Sequence, residues 1–224
     1  MSKRKYYDWS MDKIEEIKSG GKKPRLLLHV CCAPCSVYVL SQLHHVFDIT
    51  IHFNNSNIYP YTEYMKRKEM LVSLVEQLNK EKNSAIKVVE TEFDGETYHQ
   101  KLEPLQAERE GGLRCFLCYR LRMEEAYLYA VAEGFDYFTT VMTISRQKNS
   151  MKINEIAEEL EQKYPSVPYF YSDFKKNDGI LRRNQLVKQY ELYEQQYCGC
   201  LYSYEEHLKK TAQKEYNILE GVRS

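Results

Sequence analysis

Apolar positions recur along this chain in two different periods, and their alternation predicts a repeating order of strands and helices. Arg25-Leu-Leu-Leu-His-Val30 is a continuous apolar run, the pattern of a strand buried on both faces. Ile49-Thr-Ile-His-Phe53, Ile86 to Glu90 and Asp136-Tyr-Phe-Thr-Thr140 read as three more strands, and Tyr169-Phe-Tyr171 as a short fifth. Helical stretches lie between them. Residues 37–44 form one, and 62–80 form another with Tyr64, Leu71, Leu74, Val75 and Leu78 on one side. Residues 96–109 are helical with an interruption near Pro104, 116–133 are closed by Gly134, and 149–163 follow. Residues 10–18, with Ile14 and Ile17 on one face and Gly20-Gly21 as a stop, make a short helix ahead of the first strand. The stretches 180–196 and 203–216 are helical after the last strand. Strands separated by helices of this length build βαβ units, so the expected fold is α/β with a parallel sheet flanked by helices. The expected organisation is an N-terminal helical extension over 1–24 and a single α/β domain over 25–224.

Composition narrows the function. Lys plus Arg and Asp plus Glu are 32 each, so net charge is zero and predicts no polyanionic partner, although one face can still be locally basic. No apolar run approaches the ~18 residues of a membrane span. Met1 to Ser10 has early basic residues without a following apolar stretch, so no secretory signal is expected. The expected location is the reducing cytoplasm, where seven cysteines, an odd number, do not make a disulfide framework. Twenty tyrosines suit half-buried packing positions before base stacking.

The cysteines change the picture. All seven fall in three groups: Cys31-Cys32-Ala-Pro-Cys35, Cys115-Phe-Leu-Cys118 and Cys198-Gly-Cys200. The first follows strand 25–30 directly, at the carboxyl end where parallel sheets bind ligands. Cys115 and Cys118, at i and i+3 on a helix start, share a face, and the helix dipole helps hold thiolates there. Adjacent Cys31 and Cys32 can both be aimed at one centre by a turn. Four thiolates from two motifs make a 4Fe–4S cradle, and equally a tetrahedral zinc site; the three further cysteines tilt the balance towards redox chemistry. Cys32-Ala-Pro-Cys35 between a strand and a helix also has the thioredoxin-type arrangement, which leaves the other groups without a role. Gly199 permits a turn that brings Cys198 and Cys200 together as a strained, labile disulfide or as ligands of a second metal.

Other residues carry weaker signals. His29 lies in a buried strand and reads as a core histidine; His44, His45, His99 and His207 have no ligand spacing. Ser19-Gly-Gly21 precedes the first strand, the wrong side for a phosphate loop. Arg114, Arg120, Arg122, Arg146, Lys148, Lys175, Lys176, Arg182 and Arg183 recur near the motifs and would suit a phosphate backbone if they cluster.

Leu28-His-Val-Cys-Cys-Ala-Pro-Cys-Ser36, Phe53-Asn-Asn-Ser-Asn-Ile-Tyr-Pro60, Arg114-Cys-Phe-Leu-Cys-Tyr-Arg120, Asp173-Phe-Lys-Lys176 and Tyr197-Cys-Gly-Cys200 together resemble the QueH family, the cobalamin-independent epoxyqueuosine reductases. The resemblance spans about residues 25–205; Ser56 departs from the proline expected there and bears only on a loop. It implies an adenine-nucleotide-hydrolase-like (HUP or PP-loop-like) core with C-terminal helices and without an ATP loop. It also implies reduction of epoxyqueuosine to queuosine at the wobble position of tRNA, the last step of queuosine synthesis. On this resemblance Cys31, Cys32, Cys115 and Cys118 are expected to bind a 4Fe–4S cluster, with Cys35 helping to hold one additional iron that polarises the epoxide oxygen. Cys198 and Cys200 match a redox-active pair, and Asp173 is a candidate carboxylate partner or proton donor. The partners implied are the anticodon stem-loop of tRNA, with its wobble nucleotide flipped out, and an electron donor; Tyr119 and Arg120 are candidate RNA contacts. Two other readings stay open: a metal-free thiol–disulfide oxidoreductase using Cys32 and Cys35, and a zinc-stabilised RNA-binding module.

Overall fold

The computed structural model of the chain describes residues 3–219 and 221; Met1, Ser2, Glu220 and residues 222–224, which belong to the segments expected at the two ends, lie outside the described residues. Four strands, β1 (Arg25–His29), β2 (Asp48–Phe53), β3 (Lys87–Glu90) and β4 (Tyr137–Thr140), form one parallel sheet in the order β3-β2-β1-β4. The chain builds outwards from β1 through β2 to β3, then returns to the other side of β1. That reversal opens a crevice beyond the carboxyl ends of β1 and β4, the place where a doubly wound sheet binds ligands. The fold is thus the expected α/β class, with a Rossmann-like core.

Helices cover both faces. On one side α2 (Ala33–Leu43), α3 (Tyr61–Lys82) and α7 (Gly179–Gln189) bury Val37, Leu40, Leu71, Leu74 and Val187 against Leu26, Leu28 and Ile51. On the other, α5 (Leu113–Ala132) and α6 (Ser150–Lys163) pack Met123, Tyr127, Ile153 and Ile156 around Leu27 and Phe138. Consecutive residues of a strand face opposite layers, which is why Leu26 and Leu28 join one cluster and Leu27 the other. The helices α1 (Lys3–Ser19), α4 (Gly95–Leu102) and α8 (Leu201–Leu219) complete the chain.

Several boundaries differ from the periodicity. The first helix begins at Lys3, seven residues ahead of expectation, because Tyr6 and Trp9 pack on Tyr171 and Phe170. Tyr169–Tyr171 is not a strand: only Tyr169 bridges Phe138, and Pro168 ahead of it has no N–H to extend a ladder. The helix expected over 180–196 ends at Gln189, where Glu191 turns left-handed at φ 50° and Leu192 N–H bonds back to the Val187 carbonyl at 3.0 Å. The stretch 96–109 is helical only as α4 and a single 3-10 turn at Glu103–Leu105 that contains Pro104. The helix expected from 37 starts at Ala33, with Pro34 in its first turn, so the first cysteine group is itself a helix N-terminus.

Candidate metal and redox centre

Cys31 follows β1 directly, and its approach is fixed on both sides. Val30 N–H donates to the His52 carbonyl at 3.1 Å, and Asn55 Nδ2 donates to the Val30 carbonyl at 2.7 Å. Cys32 is the N-cap of α2, and Cys35 lies in the first turn. Ser36 N–H closes that turn on the Cys32 carbonyl at 3.2 Å, while Arg183 Nε holds the Pro34 carbonyl at 3.0 Å. The result is a set of three buried sulfurs, all within 4.8 Å of one another, with Cys31 and Cys32 Sγ 3.9 Å apart. Thiolates around one tetrahedral ion at ~2.3 Å stand ~3.8 Å apart, so these donors are spaced to hold a metal. Gln195 Nε2 donates to Cys32 Sγ at 3.2 Å, and its buried Oε1 has no hydrogen-bond partner among the described residues.

Charge follows the same geometry. Hydrogen bonds from Cys32 and Cys35 hold the Cys31 thiol well below its ordinary pKa, against burial and with help from Lys148 and Arg122. The Cys31 interaction, foremost, together with burial pushes Cys32 up to about 12, and Cys35 likewise rises. The three thiols thus act on one another, and a thiolate at Cys31 disfavours ionisation of Cys32 and Cys35. Lys148 and Arg122 are both buried. Burial alone would lower their pKa values, yet both rise, because Cys198, Cys31 and Cys35 surround Lys148 and Cys118 and Cys31 lie near Arg122. Among the described residues neither cation pairs with a carboxylate. Buried cations without carboxylates suit an anionic thiolate centre. Soft buried donors and compensating cations fit a thiolate-bound metal.

The second group stands on α5. Cys115 Sγ accepts from Gly111 N–H at 3.2 Å, and buried Cys118 Sγ accepts from Tyr98 OH at 3.4 Å. Arg122, one turn on, ties this helix electrostatically to Cys31. Cys115 and Cys118 lie outside the tight set of three sulfurs.

The third group hangs on a clamp absent from the sequence reading. Buried Arg67 donates through Nε to Glu63 at 2.7 Å and through Nη1 and Nη2 to the Cys198 and Tyr197 carbonyls at 3.0 and 3.3 Å. Tyr59 N–H donates to the Gly199 carbonyl at 2.7 Å, and Tyr197 OH returns to the Tyr59 carbonyl at 2.7 Å. Gly199 has φ 125°, and a Cβ there would lie 2.7 Å from Arg67 Nη1, so any other residue would strain the backbone and displace the guanidinium. Cys198 is half-buried and Cys200 buried, both as free thiols; burial pushes Cys200 up to about 11. A signal for the clamp exists: Arg67 falls on the apolar stripe of α3, one turn after Glu63 and between Tyr64 and Leu71. Arg122 interrupts the stripe of α5 in the same way.

Two openings reach these sulfurs. A polar cavity of about 240 Å³ ends on Cys35 and is lined by Ser145, Arg146, Arg183, Glu194 and Gln195. A cleft of about 120 Å³ ends on Cys198. A separate apolar cavity of about 150 Å³ between α2, α3 and α7 holds no thiol.

The remaining candidates separate. Asp173 is buried and accepts from Ser150 Oγ at 3.2 Å and from Lys175 N–H at 3.4 Å. His29 is a core residue bonded to Thr140 Oγ1 at 2.7 Å, as read. Tyr119 is buried in the core and offers no ring to RNA, and Arg120 pairs with Glu159. Arg114, Arg122 and Lys148 are buried and so unavailable to phosphates, with Arg114 Nη1 bonded to the Gln106 carbonyl at 2.7 Å. Arg146, Lys176 and Arg182 are exposed. Cys32 stands at a strand–helix junction as a thioredoxin-type cysteine would, but it is 1% exposed, which leaves no path for an external disulfide.

Comparison with known proteins decides the family. Residues 26–206 match the family model described as epoxyqueuosine reductase QueH. The chain belongs to this family. It is 37% identical to the epoxyqueuosine reductase QueH of Streptococcus pyogenes serotype M1, over 88% of this chain and 77% of that protein. It is 38% identical to that of Staphylococcus epidermidis, over 88% of this chain and 84% of that protein. It is 30% identical to that of Thermotoga maritima, over 84% of this chain and 94% of that protein. Membership in the QueH family makes the chain an oxidoreductase and is consistent with the last step of tRNA queuosine biosynthesis. Among the described residues no helix is long and apolar enough to cross a membrane.

Proposed function

We propose that this chain reduces epoxyqueuosine to queuosine at the wobble position of tRNA, in the cytoplasm. The observation that carries the reading is the set of three buried thiols beside two buried cations at the switch point of the sheet, with Cys35 opening into a polar cavity. Cys31, Cys32, Cys115 and Cys118 would hold a 4Fe–4S cluster, and Cys35 would help to hold one additional iron beside it. Bound there, these groups supply single electrons and a Lewis acid towards the epoxide oxygen.

The chain's own residues supply the rest. Removing the epoxide oxygen as water to leave an alkene consumes two electrons and two protons. Cys198 and Cys200 as a dithiol hold two of each and finish as a disulfide, which an electron donor must then reduce. Lys148 and Arg122 balance the thiolates. Asp173 serves as a buried carboxylate partner or proton donor near the loop that carries Lys148. Arg146, exposed at the cavity on Cys35, orients a phosphate of the anticodon stem-loop around a flipped wobble nucleotide.

Iron, sulfide and zinc analysis of anaerobically purified protein, followed by conversion of epoxyqueuosine-containing tRNA, tests the reading. We expect about five irons, four in the cluster and one beside it, about four sulfides, a broad band near ~400 nm, and queuosine as product. One observation favours a second reading, a zinc-stabilised RNA-binding module: the 3.9 Å separation of Cys31 and Cys32 Sγ suits a single tetrahedral ion. Zinc alone with no conversion would select it.

A further inference from the structure

Cys35 and Cys198 are reached from different openings, and Gln147 lines both. The opening at Cys198 has half the volume of the one at Cys35. It is bordered by Glu110, Gln147, Tyr197, His207 and Lys210. The pair behind it is asymmetric. Cys198 is half-buried and lines the cleft; Cys200 is buried, lines neither opening, and lies 3.4 Å from Ser203 Oγ. The loop cannot easily rotate Cys200 outwards, because Arg67 holds the Cys198 carbonyl and Tyr59 N–H holds the Gly199 carbonyl.

We propose that the Cys198 cleft is the docking site of an external dithiol reductant and that Cys198 is the sulfur it attacks. This rests on the reading of Cys198 and Cys200 as the redox pair. One thiolate of the reductant attacks Cys198 Sγ of the oxidised pair. The Cys198–Cys200 bond breaks, Cys200 leaves and takes a proton, and a mixed disulfide joins the reductant to Cys198. The second thiolate of the reductant then displaces Cys198, which takes a proton in turn. The reductant departs as a disulfide, and two electrons and two protons have reached the pair. Nucleoside and reductant thus enter through different openings, which share Gln147 in their walls.

The test uses metal-loaded protein without oxygen. Cys200→Ser treated with dithiobis(nitrobenzoate) should form an adduct that peptide mass mapping places on Cys198. Cys198→Ser should label Cys200 at least about tenfold more slowly, as burial and access dictate. Partial maleimide labelling of the unmodified chain should give the same order, which covers any folding defect in a variant. Glu110→Trp, which fills the cleft, should slow adduct formation at Cys198 about tenfold with metal content unchanged. Equal or faster labelling of Cys200, or an unchanged rate in Glu110→Trp, would overturn the docking site. Turnover with dithiothreitol as sole reductant should vanish in both cysteine variants. Normal turnover in both would remove the redox pair itself, and the inference with it.

Discussion

The Cys31–Cys35 turn and the Tyr197–Cys200 loop hold their sulfurs by opposite means. The turn is local: a strand end, an N-cap and the first turn of α2 fix three sulfurs within five residues. The loop has no regular structure and takes its shape from Tyr59, Glu63 and Arg67, more than 120 residues away in sequence, with Ser203 closing it from α8. On the proposed function, a metal centre gains from donors preset by the main fold, and a redox pair that cycles between dithiol and disulfide gains from a loop whose position one buried ion pair controls.

The sharpest way to break this comparison is to remove one sulfur from each region. Cys31→Ser or Cys118→Ser should lose both the iron–sulfur absorbance and all measurable turnover. Cys200→Ser should also lose turnover, yet keep full iron and sulfide content. A cluster-free Cys200→Ser protein would mean that the loop sulfurs are ligands and that the two regions are one site.

Arg67→Met comes next in size. It leaves Glu63 buried without its partner and frees the Tyr197 and Cys198 carbonyls, a change that costs about 3–5 kcal/mol in comparable buried pairs. Urea denaturation should report that loss. Glu63→Gln combined with Arg67→Met should recover part of it, because no lone charge then remains buried. Metal content should fall less than in Cys31→Ser, since Arg67 makes no hydrogen bond to the Cys31–Cys35 turn, although its charge favours the thiolates of Cys32 and Cys31.

The sheet beneath the turn has its own weak point in acid. His52 pairs in register with His29 and is stacked on Tyr129 with ring centroids 4.7 Å apart, and its Nε2 lies 2.9 Å from Thr91 Oγ1. Burial pushes its pKa down to about 4 from an ordinary 6.5. Unfolded, the imidazole takes a proton below about pH 6.5; folded, only near pH 4. Protons therefore favour the unfolded chain, and the contribution is intact above pH 6.5 and lost as pH falls to 4. At ~1.4 kcal/mol per pKa unit the loss approaches roughly 3 kcal/mol. His52→Gln should flatten that part of the stability profile, and an unchanged acid slope would place its origin elsewhere.

The same contrast explains what was legible from the amino-acid order. The sheet, the helices and the position of the first cysteine group follow from short-range periodicity, and all four strands in the sheet were visible that way. Tyr169–Tyr171 misled because an apolar aromatic run looks alike in a strand and in a buried crossing segment. The cysteine groups were visible because clustering is local. Their distribution between openings was not, since it depends on Arg67, Gln195 and Lys148 arriving from elsewhere. Arg122 and Lys148 read as candidate phosphate contacts until burial placed them beside the thiols. An arginine on an apolar stripe, as at 67 and 122, was the one sequence signal of those roles.

The smallest expected effect sharpens the account of the loop itself. Gly199→Ala places a methyl group 2.7 Å from Arg67 Nη1 on a backbone at φ 125°, so two penalties add: a strained backbone and a displaced guanidinium. Together they should cost about 1–2 kcal/mol. The two can be separated. In an Arg67→Met background the guanidinium is gone and the flexible methionine yields, so Gly199→Ala should cost only the backbone part there. The resulting coupling between positions 67 and 199 is the signature of a loop shaped by a side chain pressed against it. Strict additivity would mean instead that Gly199 is required by its backbone angle alone, and that Arg67 secures the loop through the two carbonyls without setting its path.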